Sequence, residues 1–216
     1  PYYSQNLYTA FKLHTHDDEM KYVLKRILRM YHVSKQGQLD NLVDRCPTTE
    51  KSCYSQISLG YDRARVFLMG YLYLIKQNNQ YYIKESYCNR YYGREDFGGK
   101  SGPAPQKIPD GRVINVEHTW PQSRFNGGFG KDYQKSDLHH LFPTDSQLNS
   151  IRGNKKFGEV SKDEMELKCG QSRFGISTLS HREVFEPPND HKGRVARALF
   201  YFSVRYDIAI DPEEEK

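Results

Sequence analysis

The sequence predicts an α+β fold: a mainly helical single domain spanning residues 1–216, built around a central strand–strand–helix unit at about 113–158. Three observations carry that prediction. Apolar residues recur at helical spacing near both ends of the chain, and the middle reads as two strands followed by a capped polar helix. The apolar share is 37%, but 17 Tyr, 11 Phe and one Trp add enough bulk for a real core, which excludes wholesale disorder.

Taken in order, residues 16–32 place Met20, Val23, Leu24, Ile27, Leu28 and Tyr31 on one helical face. Thr15 can cap that helix, and Asp17, Asp18 and Glu19 favour its positive end. A second helix is expected over Tyr61 to Lys76, apolar on most faces and therefore buried, so that residues 1–76 form a helical part. Asn78-Asn79 breaks it, and Tyr81 to Tyr87 reads as a strand. Gly93 to Gly111 is rich in Gly and Pro with almost no apolar pattern, the mark of a long functional or mobile loop. A last helix is expected from about Gly193 to Tyr206 after the Pro187-Pro188 stop, and the acidic tail Asp211 to Lys216 is expected to fray.

The longest apolar run, Val66 to Ile75, is too short for the ~20 residues a membrane-spanning helix requires. Formal charge is +5, from 32 Lys and Arg against 27 Asp and Glu, with eight His besides. That balance permits a polyanionic partner without demanding one. The four cysteines form no CxxC and fit no zinc finger. Cys46 and Cys53 bracket a short polar loop suited to a local disulfide, and Cys88 with Cys169 would then close a long one; the alternative is four unrelated thiols. Paired cysteines point to an oxidising compartment. The chain begins at Pro1 without Met, as a processed form would.

Within 113–158, Val113 to Trp120 reads as a strand ending in Glu117-His118. A polar excursion through Asn126-Gly127-Gly128 leads to a second strand, Asp137 to Phe142, where Pro143 is expected to stop pairing. Asp145 or Thr144 caps a helix carrying Asn149, Arg152 and Asn154 to about Gly158. Glu117 and Asn149 offer a sparse, hard oxygen pair, which suits Mg²⁺ because that ion keeps several waters. Alternation along a strand sends Glu117 and His118 to opposite faces unless the strand frays or bulges. A His118 imidazole whose second nitrogen is held by a backbone carbonyl could take a proton from water, and Arg152, one turn beyond Asn149, could hold a phosphate. Each residue alone has a plainer reading: a hairpin dipeptide, a capping amide, a solvated Lys155-Lys156 pair. Their occurrence together and in this order is the sharper signal.

The blocks NVEHTWPQS, SDLHHLFPTD and NSIRGNKKFG resemble the signature blocks of the bacterial endonuclease I family, and EPPNDHKGRVARA (Glu186 to Ala198) resembles a further one. Tyr61, Ala64, Arg65, Gly70 and Tyr87-Cys88 match its upstream pattern, so the likeness spans most of residues 60–206. The resemblance implies a secreted or periplasmic nuclease with a ββα-metal (His-Me finger) core, which cleaves DNA, and often RNA, without sequence preference to 5′-phosphate products. It implies Glu117 and Asn149 as ligands of Mg²⁺, a site Mn²⁺ or Ca²⁺ can also occupy, with His118 as general base. Arg152 and Asn154 fall in the block that supports the phosphate end of the helix. Arg124 and Lys131 are candidates for the family's phosphate-stabilising arginine in the inter-strand loop. The phosphate-facing set is Lys131, Arg152, Lys155, Lys156, Lys192, Arg194 and Arg197; the rival reading has those on helix 193–206 merely facing water.

Two other classes compete. A nucleic-acid-binding protein on a nuclease-like scaffold would lack one of Glu117, His118 or Asn149, and all three are present. A zinc-dependent hydrolase built on His139 and His140 would need a further ligand at helical spacing, and neither His181 nor His191 forms an HxxxH pattern. No obligate protein partner is evident in the pattern.

Overall fold

A computed structural model describes residues 17–214 apart from 39 and 50, so the expected Thr15 cap lies outside the described residues. Contacts divide the described residues into two compact units, one within 17–57 with 203–207 and one of 58–202 with 208–214.

In the first unit the amphipathic stretch forms helix α1, Asp17–Arg29. It ends before Tyr31, which begins a short sheet instead: β1 (Tyr31–Val33) lies between β2 (Asn41–Val43) and β3 (Cys53–Tyr54), both antiparallel to it. The Cys46–Cys53 disulfide ties this sheet to the loop before it. Arg29 Nε and an Arg205 guanidinium nitrogen donate to the carbonyls of Arg205 and Leu28, satisfying backbone oxygens at two helix ends.

The second unit opens with α2 (Tyr61–Phe67), which continues into one π-helical turn, Leu68–Leu72. The helix expected through Lys76 stops there. Leu74–Gln77 (β4) turns back as a hairpin onto β5 (Gln80–Lys84), and β6 (Tyr91–Tyr92) pairs beyond it. Asn78 and Asn79, at φ 46° and 63°, form the two-residue turn that this hairpin demands. Gly70 admits the backbone of the Gly/Pro-rich stretch: a Cβ there would lie 2.8 Å from Lys107 N, and Gln106 N donates to Gly70 O. That stretch is packed rather than loose, with Phe97, Pro103 and Pro109 buried and Asp110 N bonded to Ser101 O. Ala64, Leu68, Met69, Ile83, Tyr92, Phe97 and Leu141 form one core cluster with Ile114 and Val116.

The central unit is a two-stranded ribbon followed by a helix, with the short α3 (Lys131–Lys135) in the excursion between its strands. β7 (Ile114–His118) pairs antiparallel with β8 (Leu141–Asp145), and α4 (Ser146–Arg152) follows directly. β8 begins later than expected because Leu138–His140 forms a 3₁₀ turn capped by Asp137. Pro143 does not stop the pairing. Its carbonyl faces away from β7 to accept from Ser86 N, so its missing N–H also faces outward and no ladder bond is lost. Asp145 is the cap: its Oδ1 accepts from Gln147 N and Leu148 N, while Oδ2 accepts from the Tyr92 hydroxyl.

After Gly153, at φ 56°, the chain leaves the helix, so Asn154 sits in a turn. β9 (Lys156–Phe157) then joins β10 (Val160–Met165), β11 (Arg173–Ser177) and β12 (Glu183–Glu186) in a four-stranded sheet of order β10-β11-β12-β9. Helix α5 (Asn189–Tyr206) starts directly after Pro188. The fold is therefore α+β but not mainly helical: among the described residues twelve strands accompany five α-helices, and strands replace the helix expected through residue 76. The Cys88–Cys169 disulfide forms as expected. The acidic tail does not fray over its described part: Lys156 Nζ pairs with Asp211 and Glu213 at 2.7 and 2.6 Å, and Arg124 with a buried Glu214 at 2.7 Å.

Candidate active site

Glu117, His118, Asn149, Arg152 and Asn154 border one cavity of about 260 Å³, together with Pro121, Gln122 and Ser123. Strand alternation does not keep Glu117 and His118 apart, because His118 is the last residue of β7 and the chain turns into the Pro121–Gln122 loop beside it.

His118 is buried and its orientation is fixed at both nitrogens. Nε2 lies 3.1 Å from the Lys135 carbonyl, which can only accept, so Nε2 carries the proton. Nδ1 is then the basic atom, and Gln122 Nε2 approaches it at 3.4 Å. Burial, with the neighbouring His140 ring adding to it, lowers the imidazole to about 3, so the neutral form is held. The rings of Tyr61, Phe125 and His140 surround it at centroid distances of 5.5, 6.1 and 5.5 Å.

Glu117 is 2% exposed, and burial raises its carboxyl, offset first by Arg152 and then by the Tyr87 phenol. Arg152 NH1 lies 2.6 Å from Oε1, yet that oxygen makes no hydrogen bond, because the guanidinium donates elsewhere. NH1 donates to the His118 carbonyl at 3.0 Å and NH2 to the Thr119 carbonyl at 2.8 Å, with the guanidinium carbon 4.4 Å from the Phe157 ring centroid. Arg152, 1% exposed, thus clamps the end of β7 and neutralises Glu117; both terminal nitrogens are turned to protein atoms rather than to a phosphate.

Asn149 is half-buried on α4 and donates Nδ2 to Asn115 Oδ1 at 2.7 Å, leaving its own oxygen as the end without a hydrogen bond among the described residues. A carboxylate oxygen with unused acceptor capacity and an amide oxygen at one cavity fit a hard divalent cation that keeps most of its waters. No group of three or more His, Cys, Asp or Glu suited to a metal occurs among the described residues, as a zinc site would require. His139 and His140 do not form a pair. His140 Nε2 bonds the Gln134 carbonyl inside the core, whereas exposed His139 contacts Asp137 and stacks on Tyr201.

Apart from Arg152, the basic candidates lie outside this cavity's lining. Arg124 is held by Glu214 and by the Asn154 carbonyl at 2.8 Å. Lys155 sits over the Phe174 ring, Lys156 between two carboxylates, and Lys192 against Glu186. Arg194 faces Tyr73, while Lys131 and Arg197 are exposed and have no ion pair among the described residues. Four residues were missed by reasoning from sequence: Asn115, Gln122, Tyr87 and Lys135, the last acting through its carbonyl. Asn115 and Gln122 fall within the NVEHTWPQS block and Tyr87 in the upstream match, and Asn115 also lies two positions before Glu117, on the same strand face; Lys135 left no signal.

An antiparallel ribbon whose last residues are an acid and a histidine, running into a helix that adds an amide, defines the ββα class of core. The chain belongs to the Endonuclease I family, whose sequence profile matches residues 49–215. It is 41% identical over 93 residues to the extracellular ribonuclease of Bacillus subtilis (strain 168) and 40% identical over 93 residues to that of Bacillus amyloliquefaciens. Each match covers 43% of this chain and 29% of the relative's length. An extracellular deoxyribonuclease of Aeromonas hydrophila is 27% identical over 96 residues, covering 43% of this chain and 40% of that protein.

Proposed function

We propose that this chain is a secreted endonuclease that hydrolyses phosphodiester bonds of DNA and RNA without sequence preference, leaving 5′-phosphates, with Mg²⁺ held by Glu117 and Asn149. The observation that carries this reading is His118: a buried neutral imidazole whose Nε2–H is fixed on a backbone carbonyl and whose Nδ1 faces the cavity bordered by both oxygen donors. Nδ1 takes a proton from a water as that water's oxygen bonds to phosphorus. The bond from phosphorus to the 3′-oxygen breaks, giving a 5′-phosphate and a 3′-oxyanion that takes a proton from solvent water to become the 3′-hydroxyl. When bound, the divalent cation supplies positive charge to the phosphate and to the departing oxygen. Arg152 opposes the effect of burial on Glu117 and holds the strand end, and Gln122 steadies the ring from its basic side.

Both nucleic acids are included because family relatives named as ribonucleases and as a deoxyribonuclease match this chain. Phosphate contacts position a substrate without reading its sequence. Secretion is supported by two disulfides and by the extracellular designation of those relatives. No described helix is long and apolar enough to cross a membrane. The test is cleavage of supercoiled plasmid and of total RNA, with Mg²⁺ or with EDTA, by the native chain and by His118→Ala. Nicking and smearing in Mg²⁺, lost in EDTA and reduced roughly 10²–10⁴-fold in the variant, is the expected result. Equal turnover by His118→Ala would remove that residue from the mechanism, and cleavage undiminished by EDTA would remove the metal.

A further inference from the structure

The cavity's amide donor is controlled by a residue to which neither spacing nor resemblance gave a role. Asn115 lies on β7 two positions before Glu117. Its Oδ1 accepts from Asn149 Nδ2 at 2.7 Å, and its own Nδ2 donates to Ser146 Oγ at 3.2 Å. The three side chains form a relay from the first residue of α4, across to β7, and back to the fourth residue of the same helix.

An amide has two ends of nearly equal size, and only the oxygen end can hold a cation. A lone Asn149 side chain could present either end to the cavity. An acceptor on Asn115 engages the NH₂ end and leaves the oxygen for the metal; were Asn115 to turn over, Asn149 would have to turn with it. The direction of Asn149 is therefore set one residue away, on the strand that also carries Glu117. We infer that Asn115 is a positioning residue for the metal site, acting through Asn149 to keep its oxygen toward the cation, with Ser146 holding Asn115 in turn. This rests on the reading of Asn149 as a metal ligand.

The probe is Mn²⁺ alone, titrated into the full chain without nucleic acid and followed by electron paramagnetic resonance, with thermal melts run alongside. Asn115→Ala is expected to weaken Mn²⁺ binding about 10–100-fold, the usual cost of removing a group that orients a ligand. Asn115→Asp keeps an acceptor for Asn149 and is expected to retain most of the affinity; Ser146→Ala, one step further away, should lose less than Asn115→Ala. In turnover, the Asn115→Ala loss should appear as a higher Mg²⁺ requirement, with kcat recovering at saturating metal. Wild-type Mn²⁺ affinity in folded Asn115→Ala would overturn the inference, as would equal losses in the Ala and Asp variants. Should Asn115→Ala fail to fold, Asn115→Asp and Ser146→Ala decide: affinity lost fully in Asp, or unchanged in Ser146→Ala, counts against it. Unaltered Mn²⁺ binding by Asn149→Ala would instead sink the ligand assignment beneath it.

Discussion

The lining of the cavity and the basic side chains outside it are built on opposite principles. Inside, the central polar groups are fixed by protein partners: His118 on the Lys135 carbonyl, Arg152 on two strand carbonyls, Asn149 on Asn115. Outside, most cations are already matched by carboxylates, as Arg124 is by Glu214, Lys156 by Asp211 and Glu213, and Lys192 by Glu186. The count of 32 Lys and Arg therefore overstates the free positive surface. Geometry is concentrated at the cavity, and attraction for a polyanion is left to a few unmatched groups such as Lys131 and Arg197.

Breaking the inner set should cost most. Arg152→Met removes a buried cation while leaving Glu117 in place, and breaking a buried pair this way costs about 3–5 kcal/mol. Urea unfolding should show that loss, with activity falling more than for any outer substitution; an unchanged midpoint would mean the clamp is dispensable. Glu214→Gln tests the tail that locks Arg124. It removes the carboxylate from a charge-assisted hydrogen bond, a loss of about 1–3 kcal/mol in the same assay.

His191 separates burial from catalysis. It is buried against Tyr87 and Phe142, and burial lowers it to about 4, with Arg194 lowering it and Asp190 opposing. Its folded pKa lies below the unfolded value near 6.5, so the unfolded chain binds the extra proton between those limits. Stability should fall as pH drops from about 6.5 to about 4, and His191→Gln should flatten that slope without altering neutral-pH turnover; an unchanged slope would show that His191 does not contribute. The smallest effects belong to the outer cations. Lys131→Ala or Arg197→Ala should each reduce the salt dependence of DNA binding by roughly one phosphate contact. Lys156→Ala, already neutralised, should leave it alone, and equal slopes for all three would mean that matched and unmatched cations attract the polyanion alike.

The ribbon and helix were legible because their signals are local: Glu117-His118 at a strand end, Asp145 before a helix, Asn149 one turn inside it. Arg152 was legible as a participant but not in its orientation, since a charged side chain reads as solvent-facing until the carbonyls of His118 and Thr119 are seen to converge on it. The strands after residue 158 escaped because β10, VSKDEM, is an edge strand with one apolar residue at each end and no alternation to announce it. Strands of two or three residues such as β3, β6 and β9 carry no period at all. The Gly/Pro-rich stretch misled in the other direction, because its order comes from Phe97, two buried prolines and the close approach at Gly70.

The Cys88–Cys169 bond joins residues 81 apart, and β7, β8 and α4 all lie between them. The candidate active site is thus enclosed in a covalent ring. A protease that cut the exposed Gly127–Gly128 excursion would open the ring without releasing either half, so Glu117 and Asn149 would stay on one connected molecule. The nicked protein would run as a single species until reductant separated it, and would have a route to reassemble that two free fragments lack.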